Sequence, residues 1–461
     1  MVNTWKFVER PESGAGVLLD MNNGSTWTTL KEGFDISPPP LRRSVATNSM
    51  RDGGLVTSAN YELRELRFKL ELAGASEDAR AAQLKALYAR LGEPGWLMFQ
   101  ATGATYPVFF QTLRSDDPRV NREWAPDAWL VECAVLAEPF ALGVRHDIQT
   151  GVVIQNDPAS GTNRAFYDLT GVRGDHPTPL FARVGTGFGA GATFHVAVRS
   201  KNNPAAVTTW AQCEAGTLGT DTTLQANDAT MSGSGQNFVR TTFATNTFIT
   251  RVTVTAPTAS SPEAIKGRYR VLVKCRRSGS TSDFLMAYKL GGSSEVLGPR
   301  VTWSGGMPNV WLVDLGIVEF PSLGPSPTTI GYSGLVAGFI APAIEIQAQR
   351  STGALNLDMD YVYLLPADQR QLMFRQIGTP GYNVLDGPND MVYGMASGTS
   401  PFGATRTVDN GGGLLSRDGG IPMLTPGETN RLHILRTPHD VTATSTWDFS
   451  YWPYWLEVAT S

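Results

Sequence analysis

The 461-residue chain is long enough for about two to four domains with cores of their own. Its 38 Lys and Arg against 42 Asp and Glu give a net charge of -4 with only 17% charged residues, which excludes a broad cationic footprint for nucleic acid. With 48 Gly and 29 Pro along the whole length, the composition favours turns and short strands over long helices, so a mainly β chain is expected.

Cys133, Cys213 and Cys275 lie far apart without C-x-x-C spacing, which predicts a reduced, metal-free protein. The opening MVNTWKFVERPESGAGVLLD breaks any apolar run with acids and a proline, so neither an export leader nor a membrane anchor is expected there. The apolar stretch 335–344, interrupted by Gly338 and Pro342, is too short to span a bilayer, and membrane insertion is not expected.

In chain order, residues 4–19 read as a hairpin around a Pro-Glu-Ser-Gly turn. Between 33 and 60, Pro38, Pro39, Pro40 and the polar ATNSMRDGG predict an extended or looped segment that lies on a surface or reaches a neighbour. Tyr61 and Leu63 then alternate with Glu62 and Arg64, whereas Leu66, Phe68, Leu70 and Leu72 continue on the opposite parity, which predicts a strand bulged near Glu65. Beyond Gly74, Ser76 caps a predicted helix with Glu77 and Asp78 in its first turn and Leu84, Leu87, Tyr88 and Leu91 on its apolar face, stopping at Gly92. Strands at 96–99, at 106–113 and through the alternating Trp129, Val131, Cys133, Val135 and Ala137 complete a first domain of residues 1–143, its sheet covered by the helix.

Residues 144–176 have weak periodicity and read as a linker or crossover. Residues 177–368, with strands predicted at 194–198, 248–254, 269–274, 311–315 and 361–365, read as a jelly-roll-like β-sandwich, because neither alternating sheet buries its apolar face alone. In the β-rich C-terminal segment, 369–461, NVLDGPNDM and DNGGGLLSRDGG predict long loops ahead of RLHILRT and the aromatic WDFSYWPYWLEV. Those closing strands either make a small third unit or return to complete the first domain.

Chemical motifs are sparse. The histidines, His146, His176, His195, His433 and His439, form no H-x-x-x-H pair, so packing or exposure is expected in place of zinc ligation. The glycine run VGTGFGAGATF reads as a turn between strands, GYSGL around Ser333 misses the nucleophile-elbow spacing, and Arg173-Gly174-Asp175 reads as a polar turn. Asn356, Asp358 and Asp360 alternate on one strand face; solvent exposure accounts for them, with Ca²⁺ ligation or a carboxylate pair as alternatives. Trp210, Tyr288, Trp303, Trp311, Tyr361 and Tyr363 supply flat rings for the sandwich core or for stacking on a saccharide. Trp447, Tyr451, Trp452, Tyr454 and Trp455 serve core closure, contact with another subunit, or both.

Together, the N-terminal hairpin, NSMRDGGLVTSANYELRELRFKLELAG, the helix ending ARLGEPGWLMF, WLVECAVLAEPFALG, and the C-terminal MLTPGETNRLHIL with WDFSYWPYWLEV resemble the distal tail protein family of long-tailed bacteriophages. The middle of the chain is similar to an inserted carbohydrate-binding-module-like sandwich; it and the glycine-rich segment before the end depart from a compact family member. The resemblance implies a structural protein without catalytic residues or cofactor. In that family the N-terminal domain forms a ring, usually hexameric, that joins the tail tube to the tip or baseplate hub at the virion tail tip, after assembly in the host cytoplasm. Outer domains support receptor-binding components or touch host-surface saccharides. On this basis Arg42, Arg43, Arg51, Asp52, Tyr61, Arg64 and Arg67 are expected at the ring contacts, where arginines and Asp52 make directional bonds, with a solvated hairpin face as the alternative. An independent carbohydrate-binding module and a polysaccharide-degrading enzyme are the other readings of the chain.

Overall fold

Side chains that alternate apolar and polar every second residue make strands that must bury one face each. The chain is accordingly mainly β: antiparallel sheets and a single α-helix among the described residues. The computed structural model describes residues 3–12, 14–47, 54–159, 165–185, 192–201, 209–233, 235–244, 247–255, 267–277, 283–290, 297–303, 309–320, 343–352, 356–367, 370–375, 381–396, 417–437 and 444–456. Two compact units result, one of residues 1–146, 173–178 and 451–461, the other of residues 147–172 and 179–450.

The main sheet of the first unit runs in the order Val17–Asp20, Thr4–Val8, Gly95–Gln100, Val108–Thr112, Ala128–Ala137, Arg64–Ala73, Trp27–Asp35. Leu66, Phe68, Leu70 and Leu72 point inward, and the helix Glu77–Leu91 buries Leu84, Leu87 and Leu91 in the same core beside Trp5, Trp27 and Trp129. Its N-cap forms as predicted: the Ser76 hydroxyl accepts the Ala79 N–H at 3.2 Å. The bulge expected near Glu65 is absent. Arg64–Ala73 pairs with Ala128–Ala137 without a register shift, and Arg64 itself takes the inward position. The parity change arises because Leu41–Thr47 and Gly54–Tyr61 form a separate two-stranded sheet that ends before Arg64.

The last strand, Tyr454–Trp455, pairs with Ala141–Leu142, which pairs in turn with the strand Val108–Thr112. A Cβ at Gly143 would lie 2.8 Å from the Trp455 indole nitrogen, so only glycine admits this approach. The Arg173-Gly174-Asp175 segment holds the return in place: the Asp175 N–H donates to Tyr454 O at 3.1 Å, and its carboxylate accepts the Leu456 N–H at 2.7 Å.

The second unit contains two jelly rolls, each built on eight core strands with further strands at the sheet edges. In the first, His146–Gln155, Thr444–Tyr451, Phe181–Gly185 and Gly381–Asp386 form one sheet, and Phe166–Leu169, Thr429–Thr437, Thr193–Lys201 and Gln371–Arg375 the other. In the second, Phe238–Thr242, Asn356–Pro366, Gly267–Arg277 and Val310–Phe320 face Ile249–Thr255, Ala343–Thr352, Asp283–Leu290 and Leu297–Trp303. Numbered in chain order, both follow the sheet pattern 1-8-3-6 and 2-7-4-5, and the second roll is inserted between strands 4 and 5 of the first. Strand pairing therefore crosses the boundaries drawn from the sequence. The expected linker 144–176 holds two strands, the span 177–368 shares its first strands with 369–461, and that C-terminal segment supplies four strands of the first roll. Partners more than 200 residues apart leave no local trace in the sequence. NVLDGPNDM, expected as a loop, is a hairpin whose turn is tied by the Asp386 carboxylate accepting from Asn389.

Candidate functional site

The outward face of Arg64–Ala73 carries Glu65, Arg67, Lys69 and Glu71 in turn. Arg67 binds Glu65 at 3.1 and 3.2 Å, and Lys69 reaches Glu132 on the neighbouring strand at 3.2 Å. Asp35, Asp116, Asp117 and Arg119 extend this face around a cleft of about 570 Å³. On the separate hairpin Arg42 is exposed, 3.7 Å from Glu62, and Arg43 is exposed.

Arg64 and Tyr61, also expected at the ring, pack within their own chain. Arg64 is 1% exposed; it donates to the Leu456 carbonyl and lies over the Phe110 ring, and burial, opposed by Asp175, pulls its pKa down to about 10. A side chain so enclosed closes its own chain. Tyr61 packs edge-on against Phe140, 5.4 Å between centroids, and Phe140 stacks on His176 at 4.0 Å, so Tyr61 anchors the hairpin base. Arg51 and Asp52 lie outside the described residues, as do Ser333, His439 and most of the glycine run after Gly185.

Of the six rings considered for saccharide stacking, Tyr288, Trp303, Tyr361 and Tyr363 are at most 1% exposed and belong to the core; Trp210 and Trp311 are half-buried. Asn356–Pro366 is covered on both faces, which removes the solvent side that its alternation suggested. Met359, Val362 and Leu364 enter the core of the inserted roll, while Tyr361, Tyr363 and Leu365 pack with Ala197 and Leu435 of the first roll. Both sets face inward because Asp360 and Tyr361 sit together opposite the single Lys274, a β-bulge.

That geometry corrects the calcium and paired-carboxylate alternatives. Asp358 receives Arg240 at 2.7 and 3.0 Å and Arg276 at 2.8 and 3.1 Å; Asp360 receives Lys274 at 2.8 Å and the Ser232 N–H and hydroxyl at 2.9 and 2.7 Å. Both acids are 1% exposed, and their oxygens are occupied by cations and hydrogen-bond donors. No group of three or more His, Cys, Asp or Glu among the described residues is placed to hold a metal ion. Asp228 completes the network through Arg276 at 2.5 Å; burial opposes its ionisation, but bonds from Thr230 and Arg276 win and it titrates at about 2. Sequence reading missed Lys274, Arg276 and Arg240. The signal was present: K-C-R at 274–276 has the same two-residue spacing as D-M-D at 358–360.

Nearby, burial and then the Asp360 charge raise Glu214 to about 7, and burial also raises Asp157. His195 is neutral because burial lowers its pKa to about 4, and burial lifts the Cys133 thiol to about 12.

No protein-family model matches the chain, and no curated protein matches it. Among solved structures it is similar to the Dit protein of phage SPP1, described as a paradigm of the hub adsorption apparatus in phages infecting Gram-positive hosts. That likeness has 9% identity and a TM-score of 0.32 over 98% of this chain and 99% of that one. It is also similar to a chain of the phage p2 baseplate in its activated conformation with Sr, at 10% identity and a TM-score of 0.25 over 80% of this chain and 99% of that one. TM-scores this low carry no weight for function.

Proposed function

We propose that the chain is a structural protein of the tail tip of a long-tailed bacteriophage, a distal tail protein whose first unit closes into a hexameric ring between the tail tube and the tip or baseplate hub. The observation that carries this reading is the build of the first unit. Segments from both ends of the sequence that resemble the family meet there, through the pairing of Tyr454–Trp455 with Ala141–Leu142 and the bond from Arg64 to Leu456. A hairpin outside the main sheet, with Arg42 and Arg43 exposed, supplies reach toward a neighbour, and closed cyclic symmetry satisfies one repeated contact without an open-ended filament. The two jelly rolls act as an accessory module for host saccharide or another tail protein. The work is assembly and adhesion at the virion tail tip after synthesis in the host cytoplasm, with no catalytic step.

Light scattering with negative-stain imaging of the full chain tests this. Closed rings are expected; Arg42→Glu with Arg43→Glu and Arg67→Glu shifts them to monomers, whereas Arg64→Met leaves the ring intact. A folded wild-type protein that stays monomeric across a broad concentration range, alone and with its tail-tube protein, would overturn the ring.

A further inference from the structure

We propose that a cleft between the two jelly rolls of the second unit binds a neutral pyranose, stacked on Trp311 and held by Arg375 and Asp418; the proposal rests on the reading of that unit as an adhesion module. Register builds the floor. Thr437, Thr193 and Arg375 are cross-strand neighbours in one row, and His195, Met373 and Asp418 in the next, so the two-residue period places all six on one sheet face. Val301, Trp303, Trp311 and Val313 of the inserted roll form the facing wall, and about 410 Å³ lies between them.

The charges of the cleft are balanced. Arg417 is held by Asp390 at 3.0 Å and Asp314 by Arg270, which leaves Arg375 and Asp418, both exposed, as one cation and one anion without an ion-pair partner among the described residues. His195 adds no charge. A phosphate or carboxylate ligand needs a cationic excess; a ring of hydroxyls needs both a donor and an acceptor, with an apolar face for its C–H side. Trp311, half-buried and backed by the core of the inserted roll, offers that face.

The full-length protein is titrated calorimetrically with glucose, galactose and N-acetylglucosamine, with glucuronate as the anionic comparison. At least one neutral sugar is expected to bind, about tenfold more weakly to Asp418→Asn and to Trp311→Ala, and with unchanged affinity to Trp124→Ala, an exposed aromatic in the first unit. Because Asp418 is exposed, its variant keeps the fold if the tryptophan variant does not. Binding that ignores both cleft variants overturns the site while leaving the adhesion reading standing; stronger binding of glucuronate overturns the neutral class; no binding of any sugar overturns the proposal. Light scattering on the same sample reports separately on the ring.

Discussion

Lys274 is 1% exposed, with the Asp360 carboxylate 2.8 Å away and the Thr230 carbonyl accepting from its Nζ. Asp360→Ala should therefore lower the urea midpoint by the equivalent of about 3–5 kcal/mol, since it strands a buried cation; adding Lys274→Met should recover most of that. Glu214 gives a pH dependence of defined sign. Its folded pKa, about 7, lies above the ordinary 4.5, so its contribution is complete below pH 4.5 and is lost as pH rises through 7. Glu214→Gln should gain stability relative to the wild type as pH rises from 5 to 8; the comparison isolates Glu214 from His195, whose lowered pKa acts in the opposite direction. The acids in this network were legible as a pattern but misassigned to solvent, because burial on both faces of a strand depends on a layer supplied from elsewhere in the chain.

At the scale of elements, signals that act within a few residues were legible and those that act across the fold were not. Ser76, Leu84, Leu87 and Gly92 specified the helix because cap, stripe and stop all lie within one segment. The parity change at Glu65 was equally visible but had two solutions, a bulge or a break between strands of different sheets, and the inward Arg64 distinguishes them. The true bulge, at Asp360 and Tyr361, is defined by the register of its partner strand and escaped notice. The closing strand has a testable weight. Removing residues 452–461 uncovers Leu142 and strips Arg64 of its carbonyl partner, so limited proteolysis should cut the first unit rapidly while the unfolding transition of the second persists.

For the whole molecule, composition and alternation gave the mainly β class and the jelly-roll form, while the nesting of one roll in another stayed hidden because two rolls of the same topology look like one long run of strands. The inserted roll closes its own core between its two sheets, with Val271, Val273, Phe284 and Ile346 fully buried. Residues 209–367 alone should show a cooperative thermal transition, and should self-associate through the uncovered face of Tyr361, Tyr363 and Leu365.

Nesting also sets an order in time. Ala197 pairs with Gln371, yet roughly 170 residues separate the two strands, so at usual synthesis rates of about 5–20 residues per second a ribosome holds the first half of the outer roll unpaired for roughly 10–35 s. During that interval the inserted roll, continuous in sequence, is complete and free to fold. Once it has folded, it holds its own two ends close together, shortening the loop that the outer roll must close. The insertion thus serves as a folding template for the roll that surrounds it, and slow folding of the inserted roll should appear as aggregation of the whole chain.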